Sequence, residues 1–151
     1  MIYVECKPDE VLVRVLTGLP RREVIHEIKG KPRIVDKISK LQNSTGLIDE
    51  DPGGVQPVYL KRMGVVQDLL QRGLRILQDT KENRIIVICP RLEEWVVRAA
   101  MEARVDLRQY TLPDDPQRLH QVINDDLRKF QRLVEDLKDT DRLRALGSVL
   151  G

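Results

Sequence analysis

Two apolar segments of this chain each end in carboxylates. Residues 45–48 lead into three consecutive acids at positions 49–51, and residues 2–4 lead into Glu5. Each segment is typical of a buried strand. In an open parallel sheet, ligand sites lie outside the carboxyl ends of the strands. We therefore expect these carboxylates to meet at one edge of a sheet, where their oxygens suit Mg²⁺ or Mn²⁺.

Asp49 and Asp51, together with Glu5, are the candidate metal ligands. Successive side chains of an extended chain alternate, so Asp49 and Asp51 are expected to point to one side and Glu50 to the other. Neighbouring carboxylates repel one another, and a divalent cation relieves that repulsion while its bound water becomes a nucleophile. The alternative is an acidic surface loop that binds nothing.

A basic turn is the second candidate feature. Between residues 21 and 40, seven side chains are basic and three are acidic. Lys29, Gly30 and Lys31 fall where a predicted strand ends and a helix begins, so backbone N–H groups and two ammonium groups are available to hold a phosphate. The spacing is not that of a P-loop. A solvated helix start is the alternative.

The elements that must position these residues alternate along the chain. Strands are predicted at residues 1–6, 23–28, 45–49 and 84–89, and helices begin at Pro8, near Pro32 and at Pro90. The order βαβαβ with short connections predicts an α/β fold, with a mainly parallel sheet between two helical layers. Residues 58–70 are ambiguous and partly helical. Residues 73–78 form either a strand or part of a helix over 65–80.

The C-terminal part of the chain predicts a long amphipathic helix. From about residue 115 to 139, apolar side chains recur at helical spacing for about five turns. We expect this helix to pack across the sheet of its own chain, and pairing with a second copy is the alternative. A short final helix follows from Thr140 or Asp141.

Bulk composition limits the class of protein. The 151 residues fit one domain with a real core, and the net charge of +2 does not by itself indicate nucleic-acid binding. Aromatic residues make up 3%, which disfavours a base-stacking platform for single strands. No apolar stretch reaches the roughly 20 residues of a membrane span. Two cysteines make no disulfide framework, so we expect a reducing, cytoplasmic environment. The protein is expected to be a monomer or a homodimer.

The acidic segments resemble the Toprim domain, the catalytic fold of topoisomerases, bacterial primases and OLD-family nucleases. That pattern has a glutamate ending the first strand, as Ile2-Tyr3-Val4-Glu5 does here, and an Asp-x-Asp ending a later strand, as Leu47-Ile48-Asp49-Glu50-Asp51 does. Residues 91–95 also resemble a segment of small stand-alone Toprim-like proteins of bacteria and archaea. The resemblance covers about residues 1–105.

The resemblance implies a function as well as a three-layer, Rossmann-like fold. It leaves the C-terminal helix unexplained, and we expect a domain over 1–112 with a helical extension over 113–151 packed on it. The activity would be metal-dependent phosphoryl transfer, with a nuclease-like action on DNA or RNA. A non-catalytic interaction module of a larger defence or repair assembly and a small-molecule phosphatase are the alternatives.

The resemblance also assigns roles to side chains. Glu5, Asp49 and Asp51 would be metal ligands or catalytic groups. Glu93, which follows the strand over 84–89, would complete the metal shell, although a carboxylate that only answers a helix dipole is the alternative. The roles of the basic turn follow from its place at a helix start and not from the resemblance: Lys31 would act at the phosphate, and Lys29 and Gly30 would bind it.

Overall fold

The computed structural model describes residues 1–151 as six strands and six helices. The strands are β1 (Ile2–Val4), β2 (Val24–His26), β3 (Thr45–Asp49), β4 (Gly64–Leu69), β5 (Leu74–Gln78) and β6 (Arg84–Ile88). The helices are α1 (Lys7–Thr17), α2 (Lys31–Ser39), α3 (Leu92–Glu102), α4 (Pro116–Asp125), α5 (Leu127–Leu137) and α6 (Asp141–Leu150).

The strands form one sheet in the order β2-β1-β3-β6-β5-β4. The pairings among β2, β1, β3 and β6 are parallel, and β5 and β4 extend the sheet by antiparallel pairing. The carboxyl ends of the four parallel strands therefore lie along one edge. The predicted α/β architecture, with a mostly parallel sheet between helical layers and helices at the C-terminus, is confirmed.

The two faces of the sheet are covered unequally. Side chains alternate along β3, so Leu47 enters one core and Ile48 the other. The larger core contains side chains from α1, α3, α4, α5 and α6. The smaller core receives only α2 and residues around the 3-10 turn Val58–Arg62. One end of the second face, at β4 and β5, is therefore left without a helix.

The ambiguous middle of the sequence forms extended structure. Val58–Arg62 is a 3-10 turn, and Gly64–Leu69 is the edge strand β4 rather than helix. The strand predicted at residues 73–78 is confirmed as β5, and the alternative helix over 65–80 is not formed. Pairing of β4 with β5 decides the structure here, because each supplies the backbone partners that the other needs.

The single long helix predicted from about residue 115 to 139 is wrong. The chain breaks at Asp126, whose backbone is extended and whose Oδ1 accepts a hydrogen bond from the Arg128 N–H. Asp126 thus acts as an N-cap, and aspartate at that position competes with a continuous helix. The apolar stripe still continues across the break, because Ile123, Phe130 and Leu137 all lie in the larger core.

Truncation of Phe130, which is completely buried in this core, tests the packing of α5. Phe130→Ala should lower the free energy of unfolding by about 3–5 kcal/mol, because it removes buried apolar surface and leaves a cavity. Urea unfolding measures the loss. The exposed Arg128→Ala on the same helix is the control and should change stability by less than about 0.5 kcal/mol. A loss that depends on protein concentration would instead place this face between two copies.

Candidate carboxylate site

A cavity of about 510 Å³ lies at the carboxyl ends of the parallel strands. We call it the carboxylate cavity, because five acidic side chains line it: Glu5, Asp9, Asp49, Asp51 and Glu93. The predicted phosphate-binding turn, Lys29 to Lys31, lies in its wall. The structure therefore brings every site residue proposed from the sequence to one cavity and adds Asp9, Cys6, Arg91 and His120 to them.

Glu5 follows β1 and faces the start of α2. Its Oε2 accepts a hydrogen bond from the backbone N–H of Asp49 at 2.6 Å. Gly30, the N-cap of α2, has a φ of 71°, and a Cβ there would lie 3.8 Å from Oε1 of Glu5. Burial raises the pKa of Glu5, while the Asp49 N–H and the charge of Lys31 act against that rise. Glu5 thus joins β1, β3 and the start of α2.

Asp49 ends β3 and faces the start of α3. Its Oδ1 accepts a hydrogen bond from the backbone N–H of Leu92, the first residue of α3, at 3.1 Å. Burial, assisted by the charges of Asp9, Glu5 and Glu93, raises the pKa of Asp49 to about 9. This carboxyl group therefore holds a proton at neutral pH unless a cation offsets the surrounding charge.

Asp9 is the one acidic member of the site that the sequence analysis missed. Its side chain is only 2% exposed, Oδ2 accepts a hydrogen bond from the Cys6 thiol at 3.1 Å, and the buried Oδ1 has no partner. Burial, together with Glu5 and Glu93, raises the pKa of Asp9 to about 7. The sequence does contain a signal for Asp9: it lies in the first turn of a helix that follows a parallel strand, and such a turn begins at the carboxyl edge of the sheet.

Asp51 lies in the cavity wall, but it is not part of an extended chain with Asp49, as the expected alternation of side chains requires. β3 ends at Asp49, and Asp51 has a left-handed backbone with a φ of 44°. Its Oδ1 accepts hydrogen bonds from Nη2 and Nε of Arg91 at 2.8 and 3.1 Å. Asp51 is therefore an ion-paired carboxylate at the rim, whereas Glu5, Asp9 and Asp49 lie deeper.

Glu93 and His120 form a pair between α3 and α4. Glu93 is 7% exposed, and its Oε1 lies 2.6 Å from Nδ1 of the more exposed His120. The pair fixes the imidazole in the wall of the carboxylate cavity. No sequence signal indicated His120, because its contact with Glu93 depends on how α4 packs against α3.

The two lysines of the basic turn have different environments. Lys31 is buried, and its Nζ donates a hydrogen bond to the backbone oxygen of Glu50 at 2.9 Å. Lys29 is exposed. Lys31 therefore holds the loop that follows β3, and Lys29 is the ammonium group that is free to meet a ligand.

No group of three or more His, Cys, Asp or Glu side chains is spaced to hold a metal ion as the side chains stand. Comparison of the chain with protein-family models, with curated proteins and with solved structures finds no match. The site is therefore interpreted from its own geometry.

None of the helices is long and apolar enough to cross a membrane.

The raised pKa values of Asp49 and Asp9 predict a pH-dependent stability. An unfolded aspartate has a pKa of about 3.9. The folded state therefore binds more protons from about pH 4 to about pH 9, and the free energy of unfolding should fall as pH rises through that range. Asp49→Asn keeps an acceptor for the Leu92 N–H and should be more stable than the wild type near pH 9, as thermal melts will measure.

The control is Asp139→Asn, which removes an exposed carboxylate and should leave the pH profile as in the wild type. A wild-type stability that stays flat or rises toward pH 9 would contradict the assignment of buried, protonated carboxyl groups.

Proposed function

We propose that this protein binds Mg²⁺ or Mn²⁺ in the carboxylate cavity and catalyses phosphoryl transfer, with a nucleic-acid phosphodiester as substrate. The observation that carries the proposal is the meeting of Glu5, Asp9, Asp49 and Glu93 in one cavity, with Oδ1 of Asp9 buried and unpaired. Buried carboxylates of like charge are stable only when they are protonated or when a cation joins them.

The donor set fits a hard divalent cation. Mg²⁺ and Mn²⁺ prefer carboxylate oxygens, and Mg²⁺ usually takes only one or two carboxylates and retains several waters. Glu5 and Asp49 would hold the ion, and the free oxygen of Asp9 supports them. Asp51, paired with Arg91, would contribute only at the rim, and Glu93 would contribute through its contact with His120.

Each protein group has a definable task in such a reaction. A bound divalent cation would polarise a phosphoryl oxygen and lower the pKa of a bound water. Lys29 and the N–H groups at the start of α2 would bind the phosphate. Glu93 orients His120, whose imidazole is placed to accept or donate a proton at the cavity wall.

One observation favours a non-catalytic interaction module as the second candidate. Glu5 and Asp49 already accept backbone hydrogen bonds that tie strand ends to one another and to α3. The same carboxyl groups, kept protonated, would serve the fold alone. A measurement of metal binding distinguishes the metal-dependent enzyme from the interaction module.

Mg²⁺ or Mn²⁺ should raise the melting temperature near pH 8, because the ion binds the folded carboxylates and not the unfolded chain. At a metal concentration 100 times its Kd, the gain is about 2.7 kcal/mol, and each kcal/mol raises the melting temperature by about 2–4 °C. The increment should vanish in Asp49→Asn and persist in Asp139→Asn. An equal increase in melting temperature in both variants would show that the metal does not bind in this cavity.

Cleavage of DNA and RNA should require the same ions and should be lost in Glu5→Gln. Assays on single strands, duplexes and free nucleotides separate a nuclease from a phosphatase. A protein that binds metal here and turns over none of these substrates contradicts the enzymatic part of the proposal and favours the interaction module.

Lys29→Ala should weaken nucleic-acid binding and reduce the slope of log K against log salt by about one phosphate contact. The exposed Lys138→Ala, at the C-cap of α5 and outside the lining of the carboxylate cavity, is the matched control and should keep the wild-type slope. Equal slopes in both variants would show that the basic turn does not contact the phosphate.

A further inference from the structure

A second cavity, of about 450 Å³, lies on the thinly covered face of the sheet. We call it the Arg75 cavity. It adjoins the carboxylate cavity, since Asp49 lines both. Half of the residues in its wall are apolar, namely Ile48, Leu60, Met63, Val65, Leu77 and Val87.

Arg75 enters this cavity because of strand alternation. Leu74 and Ile76 of β5 lie in the larger core, so Arg75 and Leu77 face the opposite side. No helix lies over this end of that face. A long, partly buried cationic side chain therefore lies along apolar walls, with its Nε buried.

The guanidinium of Arg75 lacks a partner. Its Nε is buried and makes no hydrogen bond, and no ion pair of the structure includes Arg75. By contrast, Arg91 meets Asp51, and Arg142 meets Glu102. A buried donor left unsatisfied is costly, so the arrangement favours an acceptor supplied from outside the chain.

The chemistry of the walls restricts the ligand. The planar guanidinium matches the two oxygens of a carboxylate or phosphate, and Lys61 adds a second positive charge to the lining. The lining also includes the carboxyl groups of Asp49 and Glu50, so an anionic group is expected at Arg75 and Lys61 and not elsewhere on the wall. The apolar half of the wall fits a hydrophobic body next to that anionic group. Small-molecule sites commonly combine such a concave apolar surface with a few polar groups that fix orientation.

We propose that the Arg75 cavity binds a small organic anion, with its apolar body against Leu60, Met63 and Leu77 and its phosphate or carboxylate group on Arg75. The site uses none of the proposed metal chemistry and does not depend on the proposed function. If the protein does cleave phosphodiesters, the adjacent position makes this cavity the place for a flanking nucleotide.

Calorimetric titration in the presence of EDTA tests the site without metal. The probes are AMP, benzoate, adenosine and inorganic phosphate. AMP or benzoate should bind, and the preferred one distinguishes a phosphate from a carboxylate ligand. Adenosine lacks the anion and phosphate lacks the apolar body, so both should bind more weakly. If neither AMP nor benzoate binds, or if adenosine or phosphate binds as tightly as they do, the proposal is overturned.

Variants locate the bound probe. Arg75→Gln should weaken binding by at least about tenfold, since charge-assisted hydrogen bonds are lost, and it should melt as the wild type does because Arg75 has no partner to lose. The exposed Arg132→Gln on α5 is the control and should bind normally. Val65→Trp, on the exposed edge strand, should fill the cavity and abolish binding even if Arg75→Gln does not fold. Wild-type affinity in either folded variant overturns the proposal.

Discussion

Negative charge buried at the carboxyl edge of the parallel strands is the constraint on which the rest of this structure depends. Glu5 follows β1 and Asp49 ends β3. These strands must be buried for the sheet to pack, so both carboxyl groups are partly withdrawn from water with the backbone. Backbone N–H groups donate hydrogen bonds to both carboxyl groups: Glu5 accepts one from Asp49, and Asp49 accepts one from the start of α3. These hydrogen bonds tie β1 to β3 and β3 to the start of α3, but they leave Oδ1 of Asp9 without a partner. A proton or a cation must complete the site.

The unequal helical cover explains why two cavities lie side by side. Five helices contribute to the larger core, whereas the smaller core receives α2 and a 3-10 turn. The chain from Glu50 to Met63 crosses from the carboxyl edge to the uncovered face, and Lys31 holds its beginning through the backbone oxygen of Glu50. The same loop thus borders the carboxylate cavity on one side and the Arg75 cavity on the other. A ligand bound in one cavity would therefore lie next to the other cavity.

The sequence predicts features that depend on local pattern and fails where tertiary contacts decide. The strand Thr45–Asp49 and its terminal carboxylate follow from an apolar run that stops in acids, and the parallel topology follows from the order of elements. The break at Asp126 was hidden because the apolar stripe continues across it. The contact of His120 with Glu93 joins residues 27 positions apart, and no periodicity reports it. The sequence pattern does not single out Arg75, because a charged residue in a strand is ordinary. Its setting is unusual only because no helix covers this end of the sheet face.

The C-terminal helices contribute more than cover. Leu119, Phe130 and Leu146 lie in the same core as Leu47 of β3, so the C-terminal helices share one core with the sheet, α1 and α3. His120 brings α4 into the wall of the carboxylate cavity, where it meets a buried glutamate. A boundary near residue 112 therefore separates segments of the chain and not independent cores. One core serves both segments, and α4 joins that core to the carboxylate cavity through the contact of His120 with Glu93.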